Sequence, residues 1–348
     1  MKKNRLGQSE ILVSELCLGT MTFGTQTNEN DAHEQIDLAL ESGINFIDTA
    51  EMYPVNPISK DTIGKTEMFI GNWNAMNSHR RSDYILATKH SGEGLKHTRD
   101  GAPISKNTIE KTIEESLKRL RTDYIDLYQF HWPNRGSYMF RKNWIYDPSS
   151  QDKQKTIDNM LDCLRALEDQ VRKGNIRHFG LSNESAWGTA QWLRLSEENA
   201  LPRVQTIQNE YSLLCRLYDT DLAELSVNEE VGLLAFSPLA AGLLTGKYQN
   251  KKVPPGSRKS LVPELSGRVT DRVWPAVDKY IEIGKKFQID PVHLSIAWCL
   301  TRPFMCSVII GATNTEQLSH ILASKNVEIT QECLDDINNA HREVPMPF

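Results

Sequence analysis

SKNTIEKTIEESLKRLRTDYIDLYQFH, residues 105–131, carries two different periodicities within one stretch. In its first half Ile109, Ile113, Leu117 and Leu120 recur at helical spacing and form one apolar stripe. In its second half YIDLYQFH, 124–131, is a short run of strand length rich in aromatic and aliphatic residues. A helix followed at once by a strand is half of a crossover unit, and the next segment repeats it. Ile157, Met160, Leu161, Leu164, Leu167 and Val171 make a second stripe, Gly174 stops that helix, and IRHFGLS at 176–182 is the next strand.

Worked outward, the pattern spans the chain. LCLGT (16–20), NFIDT (45–49), YILATK (84–89), VQTIQN (204–209), VGLLAFS (231–237) and CSVIIGA (306–312) complete a set of eight strand-like runs. Longer segments of helical spacing lie between them, and Gly43 marks another helix stop. Eight strands alternating with helices predict parallel pairing through crossovers. The runs are apolar throughout, as a sheet covered on both faces requires. For 348 residues the expected α/β architecture is a single (β/α)8 TIM barrel spanning 1–348, with an open doubly wound sheet as the alternative. NRLGQSEILVSEL reads as an N-terminal β-hairpin plug under the barrel, and ITQECLDDINNAH as an extra C-terminal helix. Connections 90–104, 132–155 and 238–270 are long and follow strands, which places them on the face where barrel enzymes carry their chemistry.

Composition narrows the class. The chain is 39% hydrophobic and 24% charged, with a formal net charge of −5. That is ordinary for a globular protein and lacks the basic surface nucleic-acid binding needs. No run approaches the roughly 20 apolar residues of a membrane span, and MKKNRLGQSE has no apolar run of a signal peptide behind its basic residues. Cys17, Cys163, Cys215, Cys299, Cys306 and Cys333 include no CxxC pair, and read as unpaired buried thiols. The expectation is a cytoplasmic protein. Oligomeric state is not legible.

The strand ends supply the chemistry. Asp48 closes the second strand with Tyr53 five residues on, Lys89 closes the third and His131 the fourth. Asp48 and Lys89 at neighbouring apolar strand ends are expected to be buried, and buried charges need partners. A free tyrosine, with a pKa of about 10, holds its proton too tightly to donate well near neutrality. A lysine cation beside it favours the phenolate. Asp48 would keep Lys89 charged, and His131 would orient a substrate oxygen. Such a set serves a carbonyl becoming an alkoxide, and requires a hydride source that side chains do not supply.

No Rossmann fingerprint provides one: GEGLKH at 92–97 has His97 where the third glycine belongs. IIGATNTEQL at 309–318 is a better phosphate site. There Gly311 precedes Thr313 and Glu316 at capping-box spacing before a helix, and Lys247 and Arg258 lie in the long loop before it. The nine histidines include no HxH or HExxH, so no catalytic metal is expected and a metal-dependent hydrolase is disfavoured. Met21, Phe23, Tyr53 and Trp132 suggest an apolar pocket mouth, with Tyr138, Phe140 and Trp144 as a lid.

Taken together, GTMTFG (19–24), DTAEMYP (48–54), SLKRLRTDYIDLYQFHWP (116–133), GLSNE (180–184), TIQNEYSLL (206–214), FSPLAAGLLTGKY (236–248) and IIGATNTEQL (309–318) resemble the aldo-keto reductases nearly end to end. Within them the chain is most similar to the bacterial Tas-type branch, near the potassium-channel β-subunits. The resemblance implies a (β/α)8 barrel binding NADP(H) without a Rossmann domain, and a tetrad of Asp48, Tyr53, Lys89 and His131 with Tyr53 as general acid. It implies Ser182, Asn183 and Gln208 around the nicotinamide carboxamide and Phe236 stacked on its ring. Ser237, Pro238, Leu239, Ala240, Gly242, Lys247 and Arg258 would close over the phosphates. Gly311, Thr313 and Gln317 would hold the adenosine end, and Thr20, Met21 and Asp48 would also contact the cofactor. The substrate would be a small carbonyl compound, reduced to an alcohol. The channel branch implies a second possibility, a nucleotide-sensing partner protein on the same fold. One departure stands out: where the family often carries Glu-Asn, this chain has His320 and Ile321, and an isoleucine side chain makes no hydrogen bond to adenine.

Overall fold

The computed structural model describes residues 1–348. Two short strands, β1 (Lys3–Arg5) and β2 (Leu12–Ser14), form an antiparallel hairpin in which Asn4 faces Val13. Eight parallel strands follow: β3 (Leu16–Gly19), β4 (Phe46–Asp48), β5 (Ile85–His90), β6 (Ile125–Phe130), β7 (Ile176–Ser182), β8 (Val204–Glu210), β9 (Gly232–Phe236) and β10 (Met305–Ile310). Ile309 of β10 pairs with Cys17 of β3, so the sheet closes on itself. The barrel expectation holds, and the open sheet is excluded.

The helices are α1 (Glu29–Glu41), α2 (Lys65–Met76), α3 (Lys106–Leu120), α4 (Lys153–Arg172), α5 (Ala186–Asn199), α6 (Asp221–Asn228), a single turn α7 (Arg258–Leu261), α8 (Val273–Phe287), α9 (Pro291–Leu300), α10 (Thr315–Leu322) and α11 (Gln331–Glu343). Local chemistry explains their limits. Ser105 and Thr108 form a reciprocal capping box at the start of α3, and the Asp152 carboxylate accepts from Lys155 N at the start of α4. Gly43 (φ 91°) and Gly174 (φ 79°) end α1 and α4 in left-handed backbone, which side chains with a Cβ avoid. The stripes read from the sequence face inward: Ile109, Ile113, Met160, Leu164 and Leu167 are buried.

Between β9 and β10 the chain holds two full helices rather than one. α9 packs on β10, whereas α8 packs chiefly on α11. The expected C-terminal helix therefore has a partner that the strand-helix alternation did not announce.

The two ends of the barrel differ in chemistry. At the end where the strands begin, Leu6, Ile11 and Val13 of the hairpin segment pack with Cys17, Phe46, Ala87, Leu127, Leu234, Cys306 and Ile309 in an apolar cluster. Asn4 Nδ2 donates to Cys306 O at 2.8 Å and Gln8 N donates to Gln205 Oε1 at 2.9 Å, fixing the plug. At the opposite end the barrel interior turns polar. All six cysteines are buried and unpaired. No helix is long and apolar enough to cross a membrane.

Candidate active site

Adjacent strands deliver the acid, the lysine and the histidine to one edge. Asp48 ends β4, Lys89 lies in β5 in register with Gln129 of β6, and His131 follows β6 directly. Tyr53 sits in the turn beyond β4, where its N–H donates to Ala50 O at 3.0 Å and its carbonyl accepts from Gly64 N at 2.9 Å. The same turn is tied to β5 by Glu51: its N–H donates to Lys89 O at 3.3 Å, and its carboxylate accepts from Ser91 N at 2.6 Å and from Arg99 Nη1 at 2.5 Å.

Lys89 is wholly buried. Its ammonium donates to Asp48 Oδ2 at 2.6 Å and to Thr49 O at 2.7 Å, and lies 4.9 Å from the centroid of the Tyr53 ring. The other Asp48 oxygen accepts from Gln129 Nε2 at 3.0 Å and Gln208 Nε2 at 2.8 Å. The His131 ring packs edge-on to Tyr53, with centroids 5.7 Å apart. The structure thus brings all four sequence-predicted residues together.

Burial shapes their acidity. It pulls the Lys89 ammonium down, but Asp48 and then Tyr53 more than offset it, so Lys89 sits above its ordinary value and stays charged. His131 is held well below the usual imidazole range, first by burial and then by Lys89. It is therefore neutral at physiological pH. The sequence argument expected Lys89 to leave Tyr53 more acidic than a free phenol. In the structure burial wins: it pushes Tyr53 above its ordinary value, and Lys89 only reduces the rise.

A cavity of about 970 Å³ opens over this cluster. It is lined by Thr20, Met21, Asp48, Tyr53, His131, Trp132, Ser182, Asn183, Gln208, Phe236, Ser237, Pro238, Leu239, Gly242, Lys247, Arg258, Gly311, Thr313 and Gln317, which gathers nearly every residue expected at the site. Two expectations fail. Phe23 is fully buried in the main core and does not border the cavity, because its backbone is drawn inward by Thr66 Oγ1 donating to its carbonyl at 2.7 Å. Ala240 is buried beneath the turn that follows β9, and Ala241 takes its place on the wall. Of the expected lid, Phe140 alone borders the cavity; Tyr138 packs on Tyr146 instead, and Trp144 is 58% exposed. Met52, Val55 and Ile58 complete the apolar side.

The cap before α10 also differs from expectation. Asn314, not Thr313, is the N-cap, accepting from Gln317 N at 2.9 Å. Gln317 Oε1 in turn accepts from the N–H of Thr313 at 3.2 Å. Asn314 is the residue in extended backbone (φ −152°, ψ 170°) directly before the first helical residue, Thr315, so its side chain is the one placed to cap.

Several features fit an extended anionic ligand with an amide at one end. Arg258 lines the cavity with no carboxylate partner; its guanidinium only touches Met21 Sδ at 3.7 Å. Burial, and then the neighbouring Arg268, push it down to about 10. Its neighbours Arg268 and Arg141 share the single carboxylate of Glu210, each at 2.7 Å, so the group keeps a surplus of positive charge and Arg258 is its member without a carboxylate partner. Elsewhere on the wall, Asn183 Oδ1 is buried without a hydrogen-bond partner. Asn183 Nδ2 is engaged with His131 O at 2.9 Å, and Ser182 Oγ with Gln208 O at 2.8 Å. Asn183 (φ 53°) and Ser237 (φ 55°) hold left-handed backbone on this wall, a conformation that costs about 1 kcal/mol or more for a residue with a Cβ. Gln129 is the residue that sequence reasoning missed. Its signal was available: a lone amide in an apolar strand, two residues before His131 and therefore on the same side of the sheet.

Comparison with known proteins follows the same lines. The aldo/keto reductase family profile matches residues 15–342. Protein tas of Escherichia coli is 40% identical over 100% of this chain and 99% of its own. The uncharacterized oxidoreductase YrpG of Bacillus subtilis is 32% identical over 97% of this chain and 95% of its own. A probable voltage-gated potassium channel subunit beta of Arabidopsis thaliana is 30% identical over 99% and 98%. With a closed eight-stranded barrel, its polar cluster at the strand ends and a profile match over nearly its whole length, the chain belongs to the aldo/keto reductase family of oxidoreductases.

Proposed function

We propose that this protein, acting as one domain, reduces an aldehyde or ketone to the alcohol with NADPH, and that Tyr53 delivers the proton. The observation that carries the reading is the arrangement of Tyr53 beside an ammonium that Asp48 keeps charged. Bound in the cavity, a nicotinamide dinucleotide supplies the hydride. Ser182, Asn183 and Gln208 are the residues suited to its carboxamide, because they offer amide and hydroxyl groups and Asn183 has an unused acceptor. Arg258 and Lys247 are cations suited to its phosphates, and the positive charge beyond what a pyrophosphate needs would favour NADPH, which adds a 2′-phosphate, over NADH.

The chain's own contribution is proton management. At neutral pH the buried phenol of Tyr53 keeps its proton, so a donor is always in place. As the substrate oxygen gains negative charge the proton moves to it, and Lys89 stabilises the phenolate left behind. The neutral His131 ring can orient the substrate oxygen by hydrogen bonding without competing as an acid. Met52, Val55, Ile58, Trp132 and Phe140 keep water from the reacting group and favour an apolar substituent.

The test is NADPH oxidation with a panel of aldehydes and ketones, for the native protein and for Tyr53→Phe. The expected outcome is turnover in the native protein and a fall of roughly 10²–10⁴-fold in the variant, with nucleotide affinity close to native. Unchanged turnover in Tyr53→Phe refutes the role. Nucleotide binding with no turnover on any carbonyl compound replaces the enzyme reading with the nucleotide-sensing one.

A further inference from the structure

The cavity wall contains a second cluster of potential ligands, on α9 and α10 rather than on β4, β5 and β6. Asp290 and His320 both border the cavity. Asp290 caps α9, its Oδ1 accepting from Val292 N at 2.8 Å and His293 N at 3.4 Å. His320, in the last turn of α10, places Nε2 3.3 Å from the same oxygen. His293 lies beside it, the two rings 4.6 Å apart and inclined by 33°. His293 Nε2 donates to His320 O at 2.7 Å. A carbonyl only accepts, so this nitrogen carries the proton and Nδ1 is the atom left with a free lone pair. One ligand atom from each of the three residues lies within 4.8 Å of the other two.

The geometry points to a divalent transition-metal site of the zinc class at Asp290, His293 and His320. Zinc bonds to imidazole nitrogen and carboxylate oxygen are about 2.0–2.2 Å long, which brings tetrahedral donors to about 3.4 Å from one another. The Asp290–His320 pair already has that spacing. The His293 ligand atom lies within 4.8 Å of the other two, and a side-chain adjustment brings it in. Two imidazoles and one carboxylate select zinc, cobalt or nickel over calcium and magnesium, which take oxygen ligands. The hydrogen bond from His293 to a backbone carbonyl is the type of outer contact that fixes the tautomer of a liganding histidine. Three protein ligands leave a coordination position for water or for an anion in the adjoining cavity. The site takes no part in the proton chemistry of Tyr53. Its histidines are far apart in sequence and form no short-spacing motif, so no pattern search reveals them. One of them, His320, is the residue that departs from the family pattern.

The experiment is titration of the untagged protein with cobalt(II), read by visible absorption, and with zinc, read by calorimetry. The expected result is one ion per chain, with zinc displacing the cobalt spectrum. Asp290→Asn, His293→Gln and His320→Gln each weaken affinity by at least the roughly 10–100-fold that loss of an outer contact costs. Asparagine still caps a helix, and glutamine at 293 still offers a donor to the His320 carbonyl, so folding is retained. His97→Gln, at an exposed histidine in the loop after β5, binds like the native protein. Absence of one-to-one binding overturns the proposal, as does native affinity in His293→Gln; either result leaves Asp290 and His320 as a plain side-chain contact.

Discussion

Asp48 organises the site without facing the chemistry alone. One oxygen carries the Lys89 ion pair and the other receives two amides, Gln129 and Gln208. A buried pair of this kind is fragile in one direction only: removing one partner strands the other charge, at a cost of about 3–5 kcal/mol. Lys89→Met is therefore expected to lower thermal stability sharply and to slow carbonyl reduction by at least about 10²-fold, since nothing then opposes the burial of the phenolate. Adding Asp48→Asn to Lys89→Met removes the stranded charge. Melting curves of the double variant are expected to recover much of the lost stability while turnover stays low, and no recovery would show that the pair acts through packing alone. Gln129→Leu deletes one amide from Asp48 and is expected to cost about 1–3 kcal/mol by chemical denaturation. The cluster was legible because Asp48, Lys89 and His131 each stand at the end of an apolar run and Tyr53 follows Asp48 in the next turn. The acidity of Tyr53 was not, because the balance between burial and Lys89 depends on how deep the ring lies, and depth is a property of the closed barrel.

The elements divide labour between the barrel's two ends. The hairpin of β1 and β2 contributes Leu6, fully buried against Cys17, Phe46 and Leu127, at the end away from Tyr53. Leu6→Ala is expected to destabilise by about 2–5 kcal/mol while carbonyl reduction, measured well below the melting temperature, stays near native. A matching loss of turnover would mean that the plug also positions the site. Strand and helix alternation made the eight strands and most helices readable. The pairing of α8 with α11 was not, because α8 breaks the alternation: it follows a long loop, precedes another helix and has no strand of its own to cover. The cap of α10 shows the same limit on a smaller scale. Thr313 and Asn314 are both good caps, and their order is decided by where IIGA leaves the sheet, not by composition.

At the scale of the whole molecule, burying imidazoles neutral makes stability depend on acid. His90, behind the site, is held at about 3, first by burial and then by Arg99; its Nε2 meets Thr108 Oγ1 at 2.9 Å, and its Nδ1 lies 3.2 Å from Arg99 Nη2. His131 is depressed in the same direction. The ordinary value for both is 6.5. Between that value and the depressed one, the unfolded chain binds a proton that the folded chain refuses. More protons on the unfolded side means that stability rises with pH, and so falls as pH drops below 6.5. For His90 alone the loss near about pH 5 is on the order of 2 kcal/mol, and His131 adds to it. Carboxylates contribute mainly below about pH 5, where they lose their charge. The clean measurement is therefore the difference in unfolding free energy between about pH 7 and about pH 5, for the native protein and for His90→Gln. Glutamine cannot take up a proton at either pH, so the variant's stability is expected to change less over this interval, whatever its absolute value. Equal changes in the two proteins would mean that His90 titrates alike in both states, and that burial and Arg99 do not hold it neutral.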